Sequence, residues 1–203
     1  MTEDKILIQR VLDGDTEAFA GLVTRYDKQV YGLCFRMVNN PEDARDLAQE
    51  AFLKAWRGLQ FYKSESSFST WLYRLTSNVC IDFLRQQKRR PSVSLTVGEE
   101  DEAAELDIPD SEPTPEEQAI HREDRDAVSA AMGQLDDEAR LILTLRVVEE
   151  LPYEQIAQTL NLKVGTVKSR IARARIQLRK ILLQNGNNLG AGTSKQAEGG
   201  SAT

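Results

Sequence analysis

The sequence predicts an all-α protein: two small helical domains joined by an acidic flexible linker, the second carrying a helix-turn-helix. Apolar residues recur at helical spacing on both sides of the linker, and strand-like alternation is weak throughout. Four of the six prolines lie between residues 91 and 115, and residues 92–120 hold ten acidic residues and no Lys or Arg. Such a segment cannot bury a core. We therefore predict domains over residues 1–91 and 116–184, a linker over 92–115 and a disordered tail over 185–203.

Composition excludes several protein classes. Hydrophobic residues make up 40% and charged residues 29% of the 203 residues, as in ordinary globular proteins. No apolar run approaches the roughly 20 residues of a membrane span, and no secretory signal is visible at the N-terminus. Cys34 and Cys80 cannot form a disulfide framework and indicate a reducing compartment; we expect both to pack as small hydrophobes.

The first domain reads as three amphipathic helices. The first covers the apolar positions between Phe19 and Met37. Asn40 followed by Pro41 is a helix start signal, with Asn as the N-cap and Pro at the first position. The helix that follows has an apolar arc that runs from Ala44 to Leu59 and includes Trp56. A third run begins at Phe68 and extends towards Arg90.

The outer face of the second of these helices is the first candidate site. At 100° per residue, its members point away from the apolar arc; they are Asp46, Gln49, Glu50 and Leu53. A solvated face explains the charges, whereas a leucine opposite the core hints at a protein interface. The spacing alone leaves both interpretations open.

The second candidate site combines aromatic and basic residues between residues 60 and 90. Phe68 and Trp71 are at core spacing, but Tyr62 lies in a Ser-rich loop beside Lys63. On the next helix, Arg74 and Asn78 share a face away from the core. Aromatic rings with nearby cations suit unpaired bases, which stack on rings while cations hold phosphates. A polar helix face exposed only to solvent explains the same pattern equally well.

The third candidate site is the strongest. A short amphipathic helix over residues 151–160, a turn over 161–165 and a basic helix from Thr166 have helix-turn-helix spacing. Between residues 163 and 180 there are seven basic residues and no acid. The outward face of the basic helix, here called the recognition face, consists of Ser169, Ala172, Arg173 and Ile176. Its small residues allow close approach to DNA, Arg173 suits a guanine, and Lys168 and Arg170 suit phosphates.

No catalytic or metal constellation is visible. The sequence has no Walker-type loop, no HExxH motif and no cysteine pair at ligand spacing, and its one histidine is His121. We therefore predict neither an enzyme nor a cofactor, metal or small-molecule substrate.

Three motifs in order resemble the extracytoplasmic-function sigma factors, compact members of the sigma-70 family of bacterial initiation factors. They are residues 43–56 (DARDLAQEAFLKAW), residues 68–75 (FSTWLYRL) followed by Asn78, and residues 153–157 (YEQIA) followed by 165–175 (GTVKSRIARAR). The resemblance covers about residues 5–183. It implies that residues 1–91 are sigma region 2, which binds core polymerase and melts the −10 element. It likewise implies that residues 116–184 are region 4, which reads the −35 element.

The resemblance also implies roles for the candidate residues. Asp46, Gln49, Glu50 and Leu53 fall on the family's surface for the clamp helices of the polymerase β′ subunit. Tyr62, Lys63 and Asn78, with the neighbouring Arg74, fall where the family captures unpaired −10 bases. Lys168, Ser169, Ala172 and Arg173 fall where it contacts the −35 element, with Arg146, Tyr153 and Glu154 near the DNA backbone.

The implied partners are core RNA polymerase, including its β′ clamp helices and β subunit, promoter DNA and an anti-sigma factor. The implied setting is a cytoplasmic stress or envelope response without direct membrane insertion. Two alternatives remain at this point: a helix-turn-helix regulator that acts without polymerase, and a helical adaptor whose basic helix binds an acidic protein.

Overall fold

The computed structural model describes the backbone of residues 3–89 and 126–193, and side chains up to residue 185. The described residues contain no β-strand, and the all-α prediction is confirmed. The elements in chain order are α1 (Glu3–Leu12), α2 (Ala18–Val38), α3 (Pro41–Gly58), a 3-10 turn (Leu59–Phe61), α4 (Phe68–Arg89), α5 (described over 126–133), α6 (Asp137–Leu143), a π-helical turn (Thr144–Val148), α7 (Tyr153–Leu160) and α8 (Val164–Thr193).

Three features that the sequence analysis singled out fall partly or wholly outside these residues. The linker over 92–115 and His121 lie outside them, as do residues 194–203 of the predicted tail. Helix α8 continues past Asn185 to Thr193 in the described backbone.

Helices α2, α3 and α4 pack together with α1 to form the first domain. The core lies between them and includes Leu22, Leu33, Met37 and Leu72, which are all at most 1% exposed. Asn40 is the N-cap of α3, and its side chain accepts a hydrogen bond from the Asp43 N–H at 2.9 Å. The start signal read from the sequence is therefore confirmed.

The two cysteines of this domain lie inside that core. Cys34 on α2 and Cys80 on α4 are fully buried, and their Sγ atoms are 3.7 Å apart. The contact with Cys80 and burial raise the pKa of the Cys34 thiol. Both cysteines therefore pack as small hydrophobes, as the sequence predicts.

The second domain places α8 against α6 and α7. Asp136 caps α6 by accepting from the Ala139 N–H at 2.8 Å. After α6 the chain widens into the π-helical turn, where the Glu149 N–H donates to the Thr144 carbonyl at 3.1 Å. This turn redirects the chain into α7, so that the helix-turn-helix sits on a buried base that includes Leu143 and Leu145.

The two domains also touch each other, chiefly through α4 and α7. Among the described residues, three polar contacts cross between them, and together they form what we call the interdomain contact. The Tyr73 hydroxyl donates to Glu149 Oε2 at 2.5 Å, Lys88 Nζ lies 2.7 Å from Asp137 Oδ2, and Arg140 Nη1 donates to the Met37 carbonyl at 2.6 Å. The described chain is therefore a closed arrangement of its two domains.

Candidate nucleic-acid interface

Tight packing behind α8 fixes the angle of the helix-turn-helix. Ile156 on α7 and Val167 on α8 are fully buried, and Ile171 and Ala174 are 2% exposed. Asn161 ends α7 in the left-handed conformation, with φ at 52°, a backbone shape that Asn adopts more readily than most residues. Helical spacing predicts an inward stripe on the basic helix that begins with Val167, Ile171 and Ala174, and their burial confirms it at these three positions.

The recognition face is directed into solvent. Ala172, Arg173 and Ile176 are exposed, and Ser169 is half-buried. The Ser169 hydroxyl donates to the Thr166 carbonyl at 2.9 Å, so its oxygen still has lone pairs for an incoming donor. None of the ion pairs among the described residues involves Arg173. Its guanidinium therefore retains its donors for a planar partner such as a guanine edge.

Two of the cations on this domain gather at one aromatic ring. The Arg146 guanidinium carbon lies 5.1 Å from the centre of the Tyr153 ring, and Lys168 Nζ lies 5.7 Å from it. Arg146 also donates to the Leu151 carbonyl at 3.2 Å, which anchors it. Tyr153 is half-buried; each cation gains roughly 0.5–1 kcal/mol from its ring, but the two repel each other. An anion beside both, such as a phosphate, relieves that repulsion.

Arg170 differs from its sequence interpretation. Its Nη1 atom lies 2.7 Å from Glu138 Oε2 on α6, so its charge is already engaged within the domain. A helical repeat cannot reveal this partner, because Glu138 comes from a separate helix. Glu154, in contrast, is exposed on the first turn of α7, next to Tyr153 in the sequence.

The loop before α4 packs an aromatic ring against two rings of that helix. The Tyr62 ring lies 6.0 Å from Phe68 and 5.2 Å from Trp71, measured between ring centres, and its hydroxyl donates to the Ser66 carbonyl at 2.6 Å. Burial raises the pKa of Tyr62. The sequence interpretation has Tyr62 as a free surface ring; the structure has it half-buried, with Phe61 as the exposed ring at 74%.

The remaining residues of this second site are all exposed. Arg74 and Asn78 are exposed one turn apart on α4, and Lys63 is exposed in the loop. Ser67 holds the loop against α4, because its Oγ accepts from the Thr70 N–H at 3.2 Å. The structure therefore offers cations and an amide beside a fixed aromatic loop, a combination suited to unpaired bases.

The outer face of α3 is accessible along its length. Asp46, Gln49 and Glu50 are exposed, and Leu53 is 48% exposed. Trp56, which the sequence assigns to the apolar arc, is 38% exposed and packs edge-on against Phe19 with ring centres 5.0 Å apart. Its size explains the difference: an indole can contact the core with one edge and still face solvent with the other.

Two other kinds of feature are absent from the described part of the chain. No group of three or more His, Cys, Asp or Glu side chains is arranged to hold a metal ion within these residues. None of the helices described there is long and apolar enough to cross a membrane.

Comparison with known proteins identifies two family models in the chain. The model for sigma-70 region 2 matches residues 22–90, and the model for sigma-70 region 4 matches residues 125–178. The RNA polymerase sigma-H factor of Pseudomonas aeruginosa is 41% identical over 182 residues, 89% of this chain and 94% of that protein. The ECF RNA polymerase sigma-E factor of Escherichia coli K12 is 40% identical over 173 residues, 85% and 90% of the two chains.

Solved structures show the same fold. CnrH, in complex with the cytosolic domain of CnrY, superimposes with a TM-score of 0.64 at 24% identity, covering 88% of this chain and 96% of its own. The sigma factor RpoE of Bartonella quintana, in complex with the anti-sigma factor NepR, gives 0.60 at 22% identity, with 81% and 96% covered.

Proposed function

The chain belongs to the extracytoplasmic-function sigma factors of the sigma-70 family, and from that premise we propose that it directs bacterial core RNA polymerase to a specific set of promoters. The observation that carries this proposal is the order of the two regions, each with its predicted contact face exposed. Region 2 matches before region 4 in one chain. A stand-alone helix-turn-helix regulator does not need region 2, because it acts without core polymerase.

The outer face of α3 is the proposed polymerase contact. Leu53 supplies an exposed apolar centre, with Asp46, Gln49 and Glu50 around it. Interfaces of this kind depend on a few central apolar residues, while the charges around them guide orientation. We assign this face to the clamp helices of the β′ subunit.

The proposed promoter contacts divide between the domains. Tyr62, Lys63, Arg74 and Asn78 capture unpaired −10 bases, and the recognition face reads the −35 duplex. The Arg146, Tyr153 and Lys168 cluster, with Glu154 beside it, binds the adjacent DNA backbone. Taking bases out of the stack costs a few kcal/mol each, and contacts with protein offset part of it. The chain itself catalyses no covalent step in this proposal.

Promoter binding requires the two domains to separate. Promoter elements centred near −10 and −35 are about 25 base pairs apart, which is about 85 Å of duplex at about 34 Å per turn. A compact body of about 155 residues has a radius of gyration of about 15 Å and a diameter of about 40 Å. The chain between residues 89 and 126 is long enough, since roughly 36 residues reach up to about 120 Å. We therefore infer that the interdomain contact breaks before both elements are bound.

The domain division and the setting belong to the same proposal. Residues 1–91 act as region 2 and residues 116–184 as region 4, joined by the acidic linker over 92–115. The chain works in the cytoplasm, and an anti-sigma protein holds it inactive until a stress signal releases it. The RpoE structure from Bartonella quintana contains the anti-sigma factor NepR, and the CnrH structure contains the cytosolic domain of CnrY.

The test is promoter melting with and without core polymerase. Promoter fragments enriched by the chain together with sigma-free core are treated with permanganate, which oxidises unpaired thymines. We expect reactive thymines near −10 only when chain and core are both present. If thymine reactivity near −10 does not change when the chain or the core is left out, the proposal is contradicted. A symmetric duplex footprint that the chain gives without core would favour the stand-alone regulator.

The polymerase contact has a matched pair of variants. Leu53→Asp places a charge at the centre of the α3 face and should weaken core binding roughly 10- to 30-fold. Leu12→Asp changes a leucine of nearly equal exposure, 47% against 48%, on α1. Equal core affinity for the two variants, measured by co-elution, would refute the assignment of this face.

A further inference from the structure

Ile176 is an exposed isoleucine that the packing of the protein does not use. Its side chain is 70% exposed, whereas the inward positions of the same helix, such as Val167 and Ile171, are almost fully buried. β-Branched residues are also slightly worse helix formers than the straight-chain residues that usually occupy a solvated face. Neither core packing nor helix propensity therefore explains an isoleucine here.

Cations surround Ile176 on the helix surface. Its neighbours at three and four residues' distance are Ala172, Arg173, Arg179 and Lys180, and all four are exposed. An apolar side chain thus stands among three positive charges. A protein partner for this patch would need acids around an apolar centre, whereas the DNA major groove offers phosphates along both walls and thymine methyl groups on its floor.

We propose that Ile176 reads the C5-methyl group of a thymine in the −35 duplex. The inference rests on the proposed function, because it takes the recognition face to lie in the major groove. Ile176 comes three residues after Arg173, a rise of about 4.5 Å along the helix. At about 3.4 Å per base pair, the thymine lies one or two base pairs from the base that Arg173 contacts.

Ala172 leaves room for this contact. Helical side chains lean towards the N-terminus, so Ile176 leans over the position four residues before it, which is Ala172. Because Ala172 has only a methyl group, Ile176 can approach the base without a competing side chain. Burying the thymine methyl against Ile176 removes both from water, and this is the source of the preference.

The experiment replaces single thymines by deoxyuridine, which lacks the methyl group. A −35 duplex is first enriched from random sequence by the full chain bound to core polymerase, and each thymine is then replaced in turn. For the unsubstituted chain we expect one replacement, beside the Arg173-dependent position, to weaken binding about fourfold, as removal of one buried methyl predicts. For Ile176→Ala, the same replacement should change affinity by less than about 1.5-fold.

Leu183→Ala is the matched control. Leu183 is 58% exposed on the same helix, and its removal should leave the deoxyuridine effect at fourfold. If Ile176→Ala keeps the full deoxyuridine effect, or if no thymine near the Arg173-dependent position shows one, the inference is wrong. Failure of the proposed function looks different: no duplex sequence is then enriched, and Arg173→Ala binds every sequence as the unsubstituted chain does.

Discussion

The hydroxyl group of Tyr73 is the atom whose removal most directly tests the closed arrangement. Tyr73 is 7% exposed, and its Oη atom donates to Glu149 Oε2 at 2.5 Å across the interdomain contact. A hydrogen bond to a charged group contributes about 1.5–3 kcal/mol. Tyr73→Phe removes that bond and leaves the ring in place, so the closed fraction relative to the open one should fall by roughly 10- to 150-fold. Glu149 is only half-buried and regains water, which favours the lower end of that range.

Single-molecule energy transfer can count closed and open chains. Dyes are attached through Lys28→Cys on α2 and Gln177→Cys on α8, both exposed positions on different domains. The native cysteines do not compete for the dyes, because both are fully buried. In Tyr73→Phe we expect a low-transfer population to grow at the expense of the high-transfer one.

Tyr31→Phe is the control for this change. Tyr31 also loses only a hydroxyl, its ring stacks on Phe35 within α2, and it takes part in none of the three polar contacts described between the domains. Tyr31→Phe should leave the two populations unchanged. Equal open fractions in the two variants would refute the reasoning that the Tyr73 bond holds the domains together.

Three further predictions concern DNA reading, helix capping and pH. Arg173→Ala should cost about 1–3 kcal/mol of binding free energy at one base position of the −35 duplex. Lys168→Ala should weaken binding to all sequences alike and lower the slope of log affinity against log salt by about one. A loss that is uniform across sequences for Arg173→Ala in binding titrations would contradict its assignment to one base. Asn40→Ala should destabilise the protein by about 1 kcal/mol in urea unfolding, and an unchanged midpoint would refute its role as N-cap. Burial raises the pKa of Tyr26 and of Tyr73, and a hydrogen bond to Asp4 and to Glu149, respectively, raises it further. The stability that these protonated tyrosines contribute to the folded state is complete below the unfolded pKa of about 10 and is lost as pH rises above it. The melting temperature should therefore fall above pH 10, and it should fall less steeply in Tyr26→Phe than in the unsubstituted chain. An identical fall in these two proteins would contradict this prediction.

Local signals in the sequence predicted much of the fold. The Asn40 cap, the apolar run of α2 and the inward stripe of α8 all depend on residues within a few turns of one another. Such short-range patterns predict the structure well, because each amphipathic helix buries its apolar face whichever element it packs against. For the same reason, the exposed positions of Leu53, Asn78 and Arg173 follow from helical phase alone.

Features that depend on distant residues were not predictable in this way. Tyr73 and Glu149 are separated by 76 residues, and no periodicity connects them. Arg170 is engaged by Glu138 from another helix. The exposure of Phe61 and the half-burial of Tyr62 depend on the 3-10 turn, whose tighter winding decides which of two adjacent rings faces solvent.

The central claim is tested most directly by transcription in vitro. The chain is added to sigma-free core polymerase on fragmented genomic DNA from a bacterium that encodes it, and the 5′ ends of the RNA are sequenced. The account predicts new start sites that share sequence elements near −10 and −35 and that disappear with Leu53→Asp. Absence of new starts, together with no binding to core on a sizing column, would contradict it.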